Sequence, residues 1–75
     1  MSTSPAEHPL TITVNGELRA MPMRATLLAV LDEVGLAGRP VAVELDGEVV
    51  PRDRFAACCL AGGERIEIVT FVGGG

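Results

Sequence analysis

Few residues of this 75-residue chain are of types that could do chemistry, and most of them stand alone. His8 is the only histidine, Cys58 and Cys59 are adjacent, and Gly62-Gly63 is an internal glycine pair. A nucleophile needs a positioned base, and a zinc ion needs more Cys or His ligands than these. The pair 62–63 also lacks the lysine of a phosphate-binding loop. We therefore expect His8 to be solvated, the two cysteines to be small buried residues, and 62–63 to form a turn.

The chain ends in three glycines, and these could be used chemically. A tail without side chains can enter a narrow channel in another enzyme and bring the carboxylate of Gly75 to a nucleotide. Attack of that carboxylate on the α-phosphate of ATP would give an acyl adenylate, which is open to a sulfur or nitrogen nucleophile. Magnesium would accompany ATP on the partner. The alternative is that the glycines are merely a frayed chain end.

Composition limits the other classes of function. Hydrophobic residues make up 48% and charged residues 21% of the chain, a balance typical of one globular domain. A domain of this length buries only about 60–65% of its unfolded surface, which leaves little room for an enclosed active site. The net charge of −4 argues against a phosphate-backbone partner, and two Phe without Trp or Tyr offer little for base stacking.

The first nine residues contain neither the basic cluster nor the apolar run of a secretory signal. We expect residues 1–9 to form a flexible leader and the protein to be cytoplasmic. Residues 10–72 are expected to form the folded domain, and residues 73–75 a flexible glycine tail.

Two β-hairpins are predicted at Asn15-Gly16 and Asp46-Gly47, because these dipeptides favour tight turns between strands. Apolar residues alternate with polar or small residues on either side of each turn, as in half-buried strands. Pro51 ends the second hairpin because it cannot donate to a sheet ladder. The four strands are predicted at 10–14, 17–21, 41–45 and 48–50.

One amphipathic helix is predicted after the first hairpin. Thr26 is a suitable N-cap, and Gly35 is typical of the left-handed residue that follows a helix. The helix should be roughly ten residues long, with Asp32 and Glu33 in solvent. Its apolar stripe has i, i+3, i+4, i+7 spacing and consists of Leu27, Val30, Leu31 and Val34.

A last strand is predicted at 65–71, after a short helical turn and the glycine turn. Ile66 and Ile68 should face the helix, which leaves Val69 and Phe71 on the open face of the sheet beside the tail. The order is ββαββ, a short turn, then β. It predicts an α+β domain whose mixed sheet wraps one helix, with the last strand beside the first.

The sequence also resembles the thiamine sulfur-carrier family, known as the ThiS family, over about residues 10 to 75. The resemblance rests on the run 41–52, which includes Val50-Pro51-Arg52, and on the strand residues 66–69 before the terminal glycines. A glycine followed by an acidic residue precedes the last strand. The sequence differs in having Gly63-Glu64 where the family usually has Gly-Asp, and in the leader through Pro9.

This resemblance implies a β-grasp fold like that of ubiquitin. It also implies that an E1-like adenylyltransferase activates Gly75 with ATP and Mg²⁺, and that a cysteine desulfurase-type donor supplies sulfur through a persulfide. Thiazole synthase would then take the sulfur from the thiocarboxylate. The chain would be a monomeric protein cosubstrate without a bound cofactor. The residues expected to contact partners are Val69, Phe71, Val72, Gly73 and Gly74.

Three alternatives remain open at this point. The same tail chemistry would serve molybdopterin synthesis, cysteine synthesis or tRNA thiolation. A ubiquitin-like fold would also permit a protein modifier whose Gly75 ends in an isopeptide bond on target lysines. A plain β-grasp interaction module, in which the carboxylate has no role, is a third possibility.

Overall fold

The computed structural model describes residues 9–71, and its elements follow the predicted order. All of the predicted leader except Pro9 lies outside the described residues, as do Val72 and the predicted tail, 73–75. The elements are β1 (Leu10–Val14), β2 (Glu17–Met21), α1 (Leu27–Glu33), β3 (Val41–Leu45), β4 (Glu48–Val50), a 3₁₀ turn (Arg52–Arg54) and β5 (Arg65–Thr70).

Both hairpin turns form where the sequence predicts them. Asn15 and Gly16 have φ values of 51° and 86°, and Asp46 and Gly47 have values of 50° and 89°. Positive φ at both central residues gives the turn whose twist matches that of the flanking strands. Residues next to each turn pair directly across the hairpin, so the register of both hairpins is fixed by the turn.

The five strands form one mixed sheet in the order β2-β1-β5-β3-β4. The last strand of the chain, β5, therefore lies in the middle of the sheet. It runs parallel to β1 and antiparallel to β3. The two hairpins lie on either side of it, so each depends on β5 for its inner neighbour.

The helix begins as predicted. The Oγ1 atom of Thr26 accepts a hydrogen bond from the backbone N–H of Ala29 at 3.1 Å, which satisfies one of the free donors of the first turn. Asp32 and Glu33 are exposed, also as predicted. The first turn is further held by the bond from the N–H of Leu27 to the carbonyl of Cys58, at 3.0 Å.

The helix is shorter than predicted, with seven residues ending at Glu33. Gly35 has a φ of 79°, and its N–H donates to the carbonyl of Asp32. The N–H of Leu36 donates to the carbonyl of Leu31 at 2.7 Å. These two bonds form a Schellman motif, which ends the helix. Apolar spacing continues past this point and so overestimates the helix length.

The core lies between α1 and one face of the sheet. It also includes the segment that follows β4, through Phe55 and Leu60. None of its residues is more than 8% exposed, and six are less than 2% exposed. The buried hydrophobic residues are Leu10, Ile12, Val14, Met21, Ala25, Leu27, Val30, Leu31, Val43, Phe55, Leu60, Ile66 and Ile68.

Arg52, in the Val50-Pro51-Arg52 motif, connects two loops. Its Nη2 atom donates to the backbone carbonyl of Arg39 at 3.0 Å. Arg39 belongs to the loop that leads from the helix into β3, whereas Arg52 begins the 3₁₀ turn after β4. The motif therefore ends a strand and ties the following turn to the segment before β3.

Side-chain truncation should lower stability much more on the buried face of β5 than on its open face. Ile66→Ala should lower the free energy of unfolding by about 2–5 kcal/mol, because Ile66 is fully buried and truncation leaves a cavity. Val69→Ala, on the open face, should change it by about 0.5 kcal/mol or less. Urea unfolding followed by circular dichroism measures both. Equal losses in the two variants would contradict the assignment of the faces.

Candidate functional site

The candidate site begins on β5, which leads to the glycine tail. Ile66 and Ile68 are buried beneath the helix, whereas Val69 and Phe71 are 58% and 57% exposed. This alternation was predicted from the period of a strand. Two large apolar side chains therefore lie on the open face immediately before the tail. Their role in partner binding stays a prediction.

The described chain is held in the sheet until its end. Val69 pairs with Ala42 of β3, and Thr70 pairs with Val41. The backbone N–H of Phe71 then donates to the carbonyl of Pro40 at 3.2 Å. Residues 72–75, which include the predicted contacts Val72, Gly73 and Gly74 and the predicted reactive residue Gly75, lie outside the described residues.

The rest of the open face combines apolar and acidic side chains. Glu44 of β3 lies directly opposite Glu67 of β5 and also opposite Val49 of β4. Val49 is 70% exposed, and Leu18 of β2 is 74% exposed at the other edge of the sheet. Like charges placed directly opposite each other destabilise a sheet, so the stability of the fold does not explain this acidic pair.

The glycine pair 62–63 forms a turn, as predicted. Gly62 and Gly63 have φ values of 106° and 87°, which residues with a side chain rarely adopt. The Glu64 carboxylate accepts hydrogen bonds from the backbone N–H groups of Ala61 and Gly62 at 2.6 and 2.7 Å. Glu64 thus closes the turn that delivers the chain into β5, and its position after glycine has a structural explanation.

The expectation that both cysteines are buried is wrong. Cys58 is half-buried and Cys59 is exposed. The backbone around them is bonded to the segment before the helix, since the N–H of Leu60 donates to the carbonyl of Ala25 at 2.8 Å. Leu60 fills the interior next to this bond. In the extended chain its neighbour, Cys59, therefore points outward.

The described residues contain no candidate metal centre, since within 9–71 no three His, Cys, Asp or Glu side chains come close enough to hold a metal ion. Two open grooves of about 350 and 360 Å³ lie beside Cys58 and Leu28, respectively. The first groove is also lined by Glu48 and Arg54, and the second by Arg52 and Asp53. His8 lies outside the described residues. No helix between Pro9 and Phe71 is long and apolar enough to cross a membrane.

The sequence predicts Asn15 only as a turn residue, but its side chain also bonds to β5. Its Oδ1 atom accepts a hydrogen bond from the N–H of Ile68 at 2.8 Å, and its Nδ2 atom donates to the carbonyl of Ile68 at 3.2 Å. The presence of Asn rather than Asp before Gly16 is the only sequence signal of this role. Its partner, Ile68, is 53 residues away in the sequence, so only the folded structure shows that the two residues meet.

These features define a class of protein. A mixed five-stranded sheet that curves around one helix, with β5 between two hairpins, is the β-grasp architecture of ubiquitin-like proteins. The resemblance seen in the sequence implied this fold, and the structure confirms it.

The chain belongs to the ThiS family, since residues 12–75 match that family. The match includes all of the described residues except Pro9, Leu10 and Thr11.

Solved structures support the same assignment. The chain is similar to the crystal structure of the thiamine biosynthesis protein ThiS from Geobacter metallireducens, with a TM-score of 0.73 and 32% sequence identity. The similarity covers 88% of this chain and 100% of that one. It extends over nearly all of the described domain.

Two curated relatives are both called thiazole synthase. The protein of Paramagnetospirillum magneticum is 39% identical over 66 residues, and that of Magnetococcus marinus is 38% identical over 66 residues. These matches cover 88% of this chain but 20% of each relative. The chain thus spans about a fifth of the length of the curated relatives it matches.

The corrected exposure of the cysteines can be tested by alkylation. We expect iodoacetamide to modify Cys59 faster than Cys58 in the folded protein, because thiol modification requires access. Peptide mass spectrometry at successive times gives both rates, and the unfolded protein in urea is the control in which the difference should disappear. Faster modification of Cys58 in the folded state would contradict the described packing.

Proposed function

We propose that this chain is the sulfur carrier for the thiazole ring of thiamine, and that the carboxylate of Gly75 carries the sulfur. The observation that supports this most strongly is the family match, which extends through the terminal glycines. The structure adds a β5 strand that is held in the sheet up to Phe71 and flanked by exposed apolar side chains. A domain of this kind presents a tail without needing a pocket of its own.

In the first proposed step, a carboxylate oxygen of Gly75 attacks the α-phosphorus of ATP. The bond from that phosphorus to the bridging oxygen of pyrophosphate breaks, and an acyl adenylate forms. An E1-like adenylyltransferase binds ATP and Mg²⁺, since the metal neutralises the phosphate charge where the transfer occurs. The carrier contributes the carboxylate and binds no cofactor itself.

In the second proposed step, the terminal sulfur of an enzyme persulfide attacks the acyl carbon, and AMP leaves. The product is an acyl disulfide. A second thiol then attacks the sulfur that belongs to the enzyme, forms a disulfide with it, and releases the thiocarboxylate on Gly75 with the electron pair of the broken bond. A cysteine desulfurase-type enzyme is the proposed source of the persulfide.

Thiazole synthase is the proposed acceptor of the sulfur. Two relatives that bear this name each contain a segment similar to this chain as about a fifth of their length. A carrier-like segment within a protein called thiazole synthase supports the same pairing for this chain. In this proposal Gly73 and Gly74 pass through the partners' channels, and Val69, Phe71 and Val72 contact the surfaces around them.

The proposed reaction predicts a change in mass at the end of the chain. The protein, incubated with its adenylyltransferase, ATP, Mg²⁺, a persulfide donor and a thiol, should gain the mass that corresponds to replacing one oxygen by sulfur. A variant with an alanine added after Gly75 should show no gain. The Gly75 carboxylate is then part of a peptide bond, and the free carboxylate lies one residue beyond the position that the nucleotide site accepts. Intact-mass spectrometry measures both proteins in parallel.

The matched control for the extended variant is its thermal unfolding, which should equal that of the unmodified chain because the added residue lies beyond the domain. Equal sulfur gain in the two proteins would contradict the role of Gly75. Covalent adducts on target lysines without sulfur transfer would instead support the protein-modifier alternative. A thiocarboxylate that thiazole synthase does not consume would favour another sulfur pathway.

The proposed docking role of Val69 predicts an adenylation defect that a substitution elsewhere on the same face does not cause. Val69→Asp should weaken adenylation at limiting carrier concentration about tenfold or more, because a charge would be buried at the centre of an apolar contact. Leu18→Asp is the matched control, since Leu18 is also exposed but lies at the β2 edge, away from the tail. The assay is pyrophosphate release at varied carrier concentration.

Both substitutions are at exposed positions, so both variants should retain the unfolding midpoint of the unmodified chain. Adenylation by Val69→Asp at the level of the unmodified chain would argue against docking through Val69. A defect in Leu18→Asp of the same size would place the contact over the whole open face and not beside the tail.

A further inference from the structure

Two turn residues hold the central strand by their side chains. Asn15 and Asp46 occupy the same position in their hairpins, each with positive φ and each followed by glycine. The Oδ1 atom of Asp46 accepts a hydrogen bond from the N–H of Arg65 at 2.8 Å, at the beginning of β5. Asn15 forms its two bonds with Ile68, further along the same strand. The two turns thus grip β5 at different points.

The contact made by Asn15 extends a strand ladder that would otherwise stop. β1 pairs with β5 as far as Val14 and Ile66, and the N–H of Asn15 donates to the carbonyl of Ile66 at 2.8 Å. The chain then turns away into the hairpin. A carboxamide presents both an N–H donor and a carbonyl acceptor, as a peptide group does, and here it bonds both backbone groups of Ile68. The side chain takes the place of the missing next residue of β1.

Ile68 is the last residue of β5 that is held from this side. Beyond it, the bonds from Val69 to Phe71 run to β3 and Pro40 on the opposite side. Backbone groups alternate sides along a strand, so those of Thr70 point toward the edge that β1 has already left. None of residues 9–71 pairs with Thr70 on that edge. Within residues 9–71, the two bonds of the Asn15 carboxamide are therefore the last ones that hold β5 on its β1 side.

We propose that Asn15 is a positioning residue for the C-terminal tail. Its carboxamide fixes β5 at Ile68, and this sets the direction in which the tail leaves the sheet relative to Val69 and Phe71. When a partner binds the open face, the carboxylate of Gly75 is then already directed toward the partner's channel. This inference rests on the proposed carrier function, because the tail matters only if it enters a partner.

The chemistry of the two turns differs in the way this role requires. Asp46 needs only an acceptor for the N–H of Arg65, so either a carboxylate or an amide oxygen serves there. Asn15 must both accept from Ile68 and donate to it, which a carboxylate cannot do. An aspartate at position 15 would place a negative charge against a carbonyl oxygen. The inference therefore predicts that exchanging Asn and Asp is tolerated at 46 and harmful at 15.

The test compares Asn15→Gly with Asp46→Gly. Glycine accepts the positive φ at both positions, so each hairpin turn is retained while one grip on β5 is lost. In steady-state adenylation, Asn15→Gly should raise the KM for the carrier about tenfold with little change in kcat, the effect of losing two hydrogen bonds that orient the tail. Asp46→Gly should leave both constants within about twofold, although it also lowers the thermal midpoint.

Two further variants separate positioning from general stability. Asn15→Asp should raise the KM as Asn15→Gly does, whereas Asp46→Asn should behave like the unmodified chain. Amide hydrogen exchange should accelerate at Ile68 in Asn15→Gly, which removes the acceptor of the Ile68 N–H, and remain slow there in both variants of Asp46. A merely structural role would instead make the KM follow the thermal midpoint across all four variants.

The proposal is overturned if the Asn15 and Asp46 variants show the same KM, or if Ile68 keeps its protection in Asn15→Gly. The exchange measurement does not depend on sulfur transfer. If the unmodified chain forms no thiocarboxylate, the proposed function fails by itself. Protection of Ile68 that is lost in Asn15→Gly and kept in both Asp46 variants would still support the contact between Asn15 and β5, and unchanged protection in Asn15→Gly would overturn it.

Discussion

The structure depends on the insertion of β5 between β1 and β3. Its two isoleucines, Ile66 and Ile68, bury their side chains under the helix, while its backbone supplies the inner ladder for both hairpins. A two-stranded hairpin alone is marginally stable in water, so neither hairpin persists without this strand. The same strand leads to the glycine tail. One segment thus completes the fold and presents the candidate reactive group, which ties the placement of the tail to the integrity of the core.

Much of this arrangement is readable from the sequence because the signals are local. Asn15-Gly16 and Asp46-Gly47 specify turns, Thr26 specifies a helix start, and alternation along residues 65–71 specifies which side chains are buried. The errors and omissions concern the end of the helix, the orientation of a loop residue and one contact between residues remote in sequence. The helix stops early because the bonds of Gly35 and Leu36 compete with its continuation, and no local pattern states whether a small residue such as Cys59 points inward. The grip of Asn15 on Ile68 exists only once the sheet has formed.

The family match and the geometry support one account of how so small a domain takes part in chemistry. In the proposed function the domain provides recognition and presents the tail, and the partners provide nucleotide, metal and sulfur. Exposed apolar side chains next to the tail, at Val69 and Phe71, suit a surface that partners bind in turn. The two carboxylates of Glu44 and Glu67 beside them favour partners that carry basic groups at the facing position. The proposed function thereby assigns partner binding to β5 and the reaction to the tail that follows it.

The most direct test of this account is to locate the sulfur after transfer. The chain contains two thiols, at Cys58 and Cys59, that could also take up sulfur as persulfides. Tandem mass spectrometry of the proteolysed, sulfur-loaded protein separates these positions from the C-terminal peptide. The account predicts that the added sulfur lies on Gly75, in place of a carboxylate oxygen, with both cysteines unchanged. Sulfur found only on Cys58 or Cys59, with an unmodified C-terminal peptide, would contradict it.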